Sequence, residues 1–153
     1  MTDEQIIFKY GEPGDFTKLT AIDLPYQMRI AWDIKTKVSR IQCHKLIAPN
    51  LLAVFNDLLV LYSYDKLVEL GIDLFGGCVN VRHMRGSKTK WSRHSWGIAI
   101  DLDPVRNSLN TSWKKAQFSK PEYQFMVDTF YKHGFYSYGK ERDFDAMHWE
   151  IRN

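Results

Sequence analysis

The stretch SRHSWGIAIDLDP, residues 92–104, constrains the chain more than any other. Ile98, Ile100 and Leu102 alternate with Ala99, Asp101 and Asp103, the period-2 pattern of a strand with one face in a core. The other face then presents Gly97, Ala99, Asp101 and Asp103, small residues beside a carboxylate. An ionised carboxylate in a mostly buried position needs a cation or several donors. A structural Asp paired with an Arg or with backbone N–H groups meets that need; so does a bound metal.

His94 favours the metal. Residues an odd number of positions apart lie on opposite faces of a continuous strand, so His94 and Asp101 meet only if the chain turns between them. Gly97 supplies the turn. A catalytic zinc commonly has three protein ligands drawn from His and Asp/Glu, plus a water, so a third ligand must come from elsewhere. His133 falls in the last turn of a predicted helix, where the dipole explains a cation. His44 sits beside Cys43 and Lys45 on a predicted strand, and His83 lies within a basic stretch. His148 in DAMHWEI is the best candidate, with Met147, Trp149 and Ile151 packing on one side and His148 and Glu150 on the other. A hydrolytic zinc site also needs a general base. Asp145, three residues before His148, and Glu150, on its strand face, both qualify by spacing.

The rest of the chain fits one small domain. It has 153 residues, 44% apolar and 25% charged, with a net charge of +3, ordinary values for a globular protein. Aromatics reach 14%, and Trp91, Trp96 and Trp149 flank the proposed ligands, either as core or as walls of a cleft. Cys43 and Cys78 form no CxxC pair, which excludes a cysteine-rich zinc site and predicts two buried free thiols. Residues 1–25 are rich in turn formers and are expected to wrap the surface, with 26–153 forming the catalytic domain. APNLLAVFNDLLVLY reads as a helix with Pro49 near its start. IDLFGGCVNV reads as a strand with a glycine-marked bend. SKPEYQFMVDTFYKHGF reads as a helix opened by a Ser119–Glu122 capping box and closed by Gly134. Strands and helices mix without βαβ alternation, so the fold class is α+β, a small antiparallel sheet flanked by helices. The N-terminus lacks the basic and apolar regions of a secretory signal. No apolar run approaches the ~18 residues of a membrane span. The expectation is synthesis in a cytoplasm with no stable membrane association.

Ser92-x-His94-x-x-Gly97-x-Ala99-x-Asp101, followed by Asp145-x-x-His148-Trp149, resembles the zinc-dependent peptidoglycan peptidases. These include D-alanyl-D-alanine carboxypeptidases and dipeptidases and the L-alanyl-D-glutamate endopeptidases of phage endolysins. LPYQMRIAWD and RIQCHKLIAP are similar to the endolysin-type branch. The resemblance implies a hedgehog/DD-peptidase-like fold and Zn2+ held by His94, Asp101 and His148, with Asp145 as general base. It implies an oxyanion-stabilising arginine, for which Arg82 is the best match and Arg85 the neighbouring alternative. Glu150 is then placed behind the metal, orienting a ligand. Ser92 and Trp149 are weaker candidates for substrate binding or support.

The implied partner is bacterial peptidoglycan rather than nucleic acid. Arg82, Arg85, Lys88, Lys90 and Arg93 lie in one acid-free stretch, either a solvated loop or a cationic rim for the free carboxylates of peptide stems. The endolysin branch further implies access to the wall through a holin. A D-alanyl-D-alanine carboxypeptidase is the alternative within the class, and a non-catalytic zinc-containing wall-binding module the alternative outside it. A compact ββα-metal nuclease fits poorly, because the two proposed histidine ligands stand at positions 94 and 148.

Overall fold

The computed structural model describes residues 1–152. Asn153, the last residue of the expected 26–153 unit, lies outside the described residues. Among the described residues, six strands, β1 (Leu19–Ile30), β2 (Asp33–His44), β3 (Leu74–Gly77), β4 (Ala99–Leu102), β5 (Phe135–Ser137) and β6 (His148–Ile151), form one sheet. Its order is β2-β1-β3-β4-β6-β5. Five α-helices accompany it among the described residues: α1 (Asp3–Tyr10), α2 (Ala48–Tyr62), α3 (Tyr64–Glu69), α4 (Gln124–Lys132) and α5 (Tyr138–Arg142). The α+β class is as expected, and all sheet pairings but one are antiparallel. The exception is β1 with β3. Its connection runs through β2, α2 and α3, long enough for the crossover a parallel pair requires.

The alternation at 98–102 behaves as its pattern dictates. Ile98, Ile100 and Leu102 are wholly buried. The strand has neighbours on both sides, with Asp101 opposite Gly77 on β3 and His148 on β6. Pro49 occupies the first turn of α2, and Leu51, Phe55 and Leu58 are buried at helical spacing. Trp149 points into the core, stacked on Phe130 of α4 with ring centroids 4.4 Å apart.

Three local expectations change. The Ser119–Glu122 capping box does not form: Ser119 ends a 3-10 turn over Gln117–Ser119, and its hydroxyl donates to the Ala116 carbonyl at 2.8 Å. A second 3-10 turn, Pro121–Tyr123, leads into α4 instead. Gly134, at φ 88°, follows the end of α4 as expected. The N-terminal residues do more than wrap the surface. Thr2 and Gln5 form a capping box at the start of α1, and Ile6 and Tyr10 are core residues. Residue 25, where the surface segment was expected to end, lies inside β1.

Arg29 and Asp73 tie β1 to the residue preceding β3. The guanidinium donates from Nε to one Asp73 oxygen at 2.7 Å and from a terminal nitrogen to the other at 2.8 Å. Asp73 is fully buried, and the two-pronged geometry is what makes a buried carboxylate tolerable. Cys43 and Cys78 are buried free thiols, as expected.

Candidate metal centre and cleft

Each member of the cluster is delivered by a different local device. Ser92 caps a 3-10 turn over Arg93–Trp96, its hydroxyl accepting from the His94 N–H. Gly97 ends that turn in the left-handed conformation, φ 69° and ψ 30°, which glycine adopts without steric cost. The turn folds His94 back over the face of β4 that carries Asp101. His148 begins β6 directly opposite Asp101. Asp145 has a positive φ of 56° in the turn before β6, where its carbonyl accepts from the His148 N–H at 3.0 Å.

These devices bring the side chains together. His94 Nε2 lies 3.2 Å from Asp101 Oδ2, and His148 Nδ1 lies 3.3 Å from Asp101 Oδ1. One ligand atom from each of the three residues falls within 4.8 Å of the others, an arrangement that can hold a metal ion. The second nitrogen of each ring is occupied. His94 Nδ1 faces the Cys78 carbonyl at 2.9 Å, and a carbonyl only accepts, so Nδ1 carries the proton and Nε2 presents its lone pair. His148 Nε2 donates to Glu150 Oε1 at 3.1 Å, leaving Nδ1 for the cluster. His94 Nε2 and Asp101 Oδ1 are nevertheless buried without a hydrogen-bond partner. Convergent, desolvated and unpaired donor atoms are what a cation would satisfy.

The electrostatics agree with that reading. Burial opposes charge on Asp101, but the His148 and His94 rings prevail and hold its carboxyl well below the usual carboxylate range. Burial likewise opposes charge on His148, yet the Asp101 and Glu150 carboxylates push it up to about 9. Asp145 moves the other way. Burial raises its carboxyl above the ordinary value and Asp101 adds to the rise, while His148, His94 and Arg82 pull against it. Its Oδ2 is 4.0 Å from His148 Nδ1. The two acids that spacing left in competition therefore stand apart: Asp145 opens onto the cleft, whereas Glu150 is buried behind His148.

The cleft over the cluster is lined by Arg82, Arg85, Ser92, Tyr138 and Asp145, among others. Of the five basic residues between 82 and 93, Arg93 also lines it but is bound to Asp3 at 2.6 Å. Ser95, which sequence reasoning passed over, pins Arg82: its hydroxyl accepts from the Arg82 N–H at 3.1 Å and donates to the Arg82 carbonyl at 2.9 Å.

Two expectations are corrected here. Trp149 does not reach the cleft; the pleat that turns His148 and Glu150 toward the site turns Trp149 into the core. Met147 lines the cleft instead of packing beside Trp149, because it belongs to the turn and not to β6. The remaining histidines have other partners: His44 with the Tyr10 carbonyl, His83 stacked on Trp91, and His133 with Asp57. Cys78 carries no side-chain signal for its part, which a backbone carbonyl plays. Tyr138 does: it stands two residues from Tyr136, at the spacing that puts His148 and Glu150 on one face.

Residues 85–151 match a family model described as D-alanyl-D-alanine carboxypeptidase. The matched stretch contains His94, Asp101, Asp145 and His148, and it supports a carboxypeptidase-like peptidase. Arg82 and the β1–β3 part of the sheet fall outside it. No curated protein and no solved structure matches the chain.

Proposed function

We propose that the protein is a zinc-dependent peptidase of the bacterial cell wall, cutting the L-alanyl-D-glutamate bond of the peptidoglycan stem as phage endolysins of this type do. The observation that carries the reading is the convergence of His94 Nε2, Asp101 and His148 Nδ1, two of them with unpaired buried atoms, beside a carboxyl raised by burial. His94, Asp101 and His148 would hold the ion, two imidazoles and a carboxylate being a common catalytic donor set for zinc. When bound, zinc supplies Lewis acidity that activates water near neutral pH and polarises a carbonyl.

This chain's own residues supply the remainder. Asp145 takes the proton of the attacking water and returns it to the leaving amine, a role that a raised carboxyl suits. Arg82 stabilises the negative charge that develops on the scissile carbonyl oxygen, an effect often worth about 3 kcal/mol per donor. Arg85 and the exposed Lys88 and Lys90 attract the free carboxylates of the peptide stem. Ser92 and Gly97 act through His94, whose position they set. The unit that carries these roles is 26–153 together with the preceding residues, which supply the start of β1 and α1, whose Asp3 holds the basic stretch.

The deciding experiment is mass spectrometry of Gram-negative peptidoglycan digested with the protein, with and without a chelator. Chelator-sensitive fragments bearing a new D-glutamate amine support the endopeptidase. Chelator-sensitive release of free D-alanine supports the carboxypeptidase that the family description favours. Wall binding without cleavage, unaltered by Asp145→Ala, would support the non-catalytic module.

A further inference from the structure

Glu150 is nearly inaccessible, its side chain 6% exposed, and its carboxylate meets three donors. Tyr136 donates to Oε2 at 2.8 Å, Tyr138 to Oε1 at 3.0 Å, and His148 Nε2 to Oε1 at 3.1 Å. Tyr136 is opposite Glu150 in the β5–β6 ladder, and Tyr138 opens α5 two residues later. Arg142 lies behind both phenols. Its guanidinium carbon is 4.2 Å from the Tyr138 ring centroid, and it donates to the Tyr136 oxygen at 3.3 Å. The layers run from Arg142 to the tyrosines, to Glu150, to His148.

Burial and the Glu150 charge push Tyr136 up to about 12 and Tyr138 higher still, so both remain donors at working pH. The phenols solve a specific problem. A guanidinium on Glu150 would neutralise it, and no partner at all would leave a buried charge unsatisfied. Two neutral donors fix both oxygens and leave the negative charge to act on the histidine. A carboxylate held in this way sets which imidazole nitrogen carries the proton and where the ring points.

We propose that Tyr136 and Tyr138 are positioning residues of the metal centre: their paired hydroxyls clamp Glu150, which in turn holds His148 with Nδ1 facing Asp101. The inference rests on the metal-site reading above. Tyr136 is the cleaner probe, because Tyr138 also lines the cleft.

The test is Zn2+ affinity, measured by competition with a chromophoric chelator, together with the visible spectrum of the Co2+-loaded protein. The proteins are wild type, Tyr136→Phe, Tyr138→Phe, the double variant and each single change in a Glu150→Gln background. Expected are a loss of about 10–100-fold in Zn2+ affinity for the double variant, a displaced Co2+ spectrum, and little further effect of Tyr136→Phe once Glu150 is Gln. Thermal unfolding of the metal-free proteins checks folding; if the double variant does not fold, the single changes carry the cycle. Affinity within twofold of wild type with an unchanged spectrum overturns the clamp while leaving the metal site standing. So does an equal Tyr136→Phe effect with Glu150 present or replaced. A wild-type protein that binds no Zn2+ overturns both.

Discussion

Asp101 stands opposite His148 across the β4–β6 ladder, its Oδ1 3.3 Å from His148 Nδ1. A sheet register, and not a loop, therefore sets the distance between two members of the cluster. Sites built on strands hold their geometry more closely than sites built on loops.

Replacing Asp101 by Asn should weaken Zn2+ binding by more than about 100-fold, exceeding the usual cost of losing a supporting residue. Asp103→Asn, two residues on, should leave binding within a few-fold. Asp103 is buried and bound to Arg106 at 2.7 Å, so that change should instead cost about 1–3 kcal/mol of stability. Chelator competition and thermal unfolding separate the two outcomes; equal metal loss in both variants would count against the cluster.

Zinc binding should release a proton below about pH 9. His148 is pushed up to about 9 by Asp101 and Glu150 against the opposing effect of burial, so its ring is charged at neutral pH and must lose a proton to bind metal. Affinity should weaken about tenfold per pH unit below that value. Calorimetry in buffers of different ionisation enthalpy counts the proton directly.

Asp145→Asn should keep its metal and lose about 100- to 10,000-fold in turnover. Because burial raises the Asp145 carboxyl, the acid limb of kcat/KM should lie above that of an ordinary Asp, activity falling as the base takes up its proton. Arg82 pulls that carboxyl down, so Arg82→Gln should move the limb further up as well as slowing turnover. A pH profile of stem-peptide hydrolysis reads both. If Glu150→Ala is inactive with its metal in place while Asp145→Ala works, the base is Glu150.

Breaking the Arg29–Asp73 pair from one side should cost about 3–5 kcal/mol, since Arg29→Ala leaves a fully buried carboxylate uncompensated. Chemical denaturation measures it. A loss below about 1 kcal/mol would mean that solvent reaches Asp73 in solution.

Asp3 fastens the basic stretch to α1: one carboxylate oxygen accepts from Arg93 and the other from the Trp91 N–H at 3.2 Å. Asp3→Ala should loosen residues 82–93 and raise KM more than it lowers kcat. Trypsin should then cut faster at the exposed Lys88 and Lys90. Unchanged cleavage rates at those sites would show that the loop holds itself.

Much of the site was legible because it obeys short-range rules. The alternation around Asp101 sets a buried strand face, Gly97 marks the turn that returns His94, and the period of two in HWEI puts His148 and Glu150 on one side. Spacing alone could not rank Asp145 against Glu150. Both stand near His148 in the chain, and only their environments differ: one faces the cleft, and the other is enclosed by Tyr136 and Tyr138. Trp149 fits either a core or a cleft wall by its place beside a ligand, and the pleat turns it into the core, as the period of two puts it opposite His148.

Local pattern thus determined α2, the strand around Asp101 and the α+β class, and nominated His94, Asp101 and His148 as the converging side chains, because hydrophobic period and turn chemistry act over a few residues. Tertiary structure decided what spans long separations: the parallel β1–β3 pairing, the Asp3–Arg93 link, the Cys78 carbonyl on His94 and the phenols on Glu150. Each depends on which backbone or side-chain atom arrives from a distant element, and hydrogen bonds and burial select that atom only after the sheet has assembled.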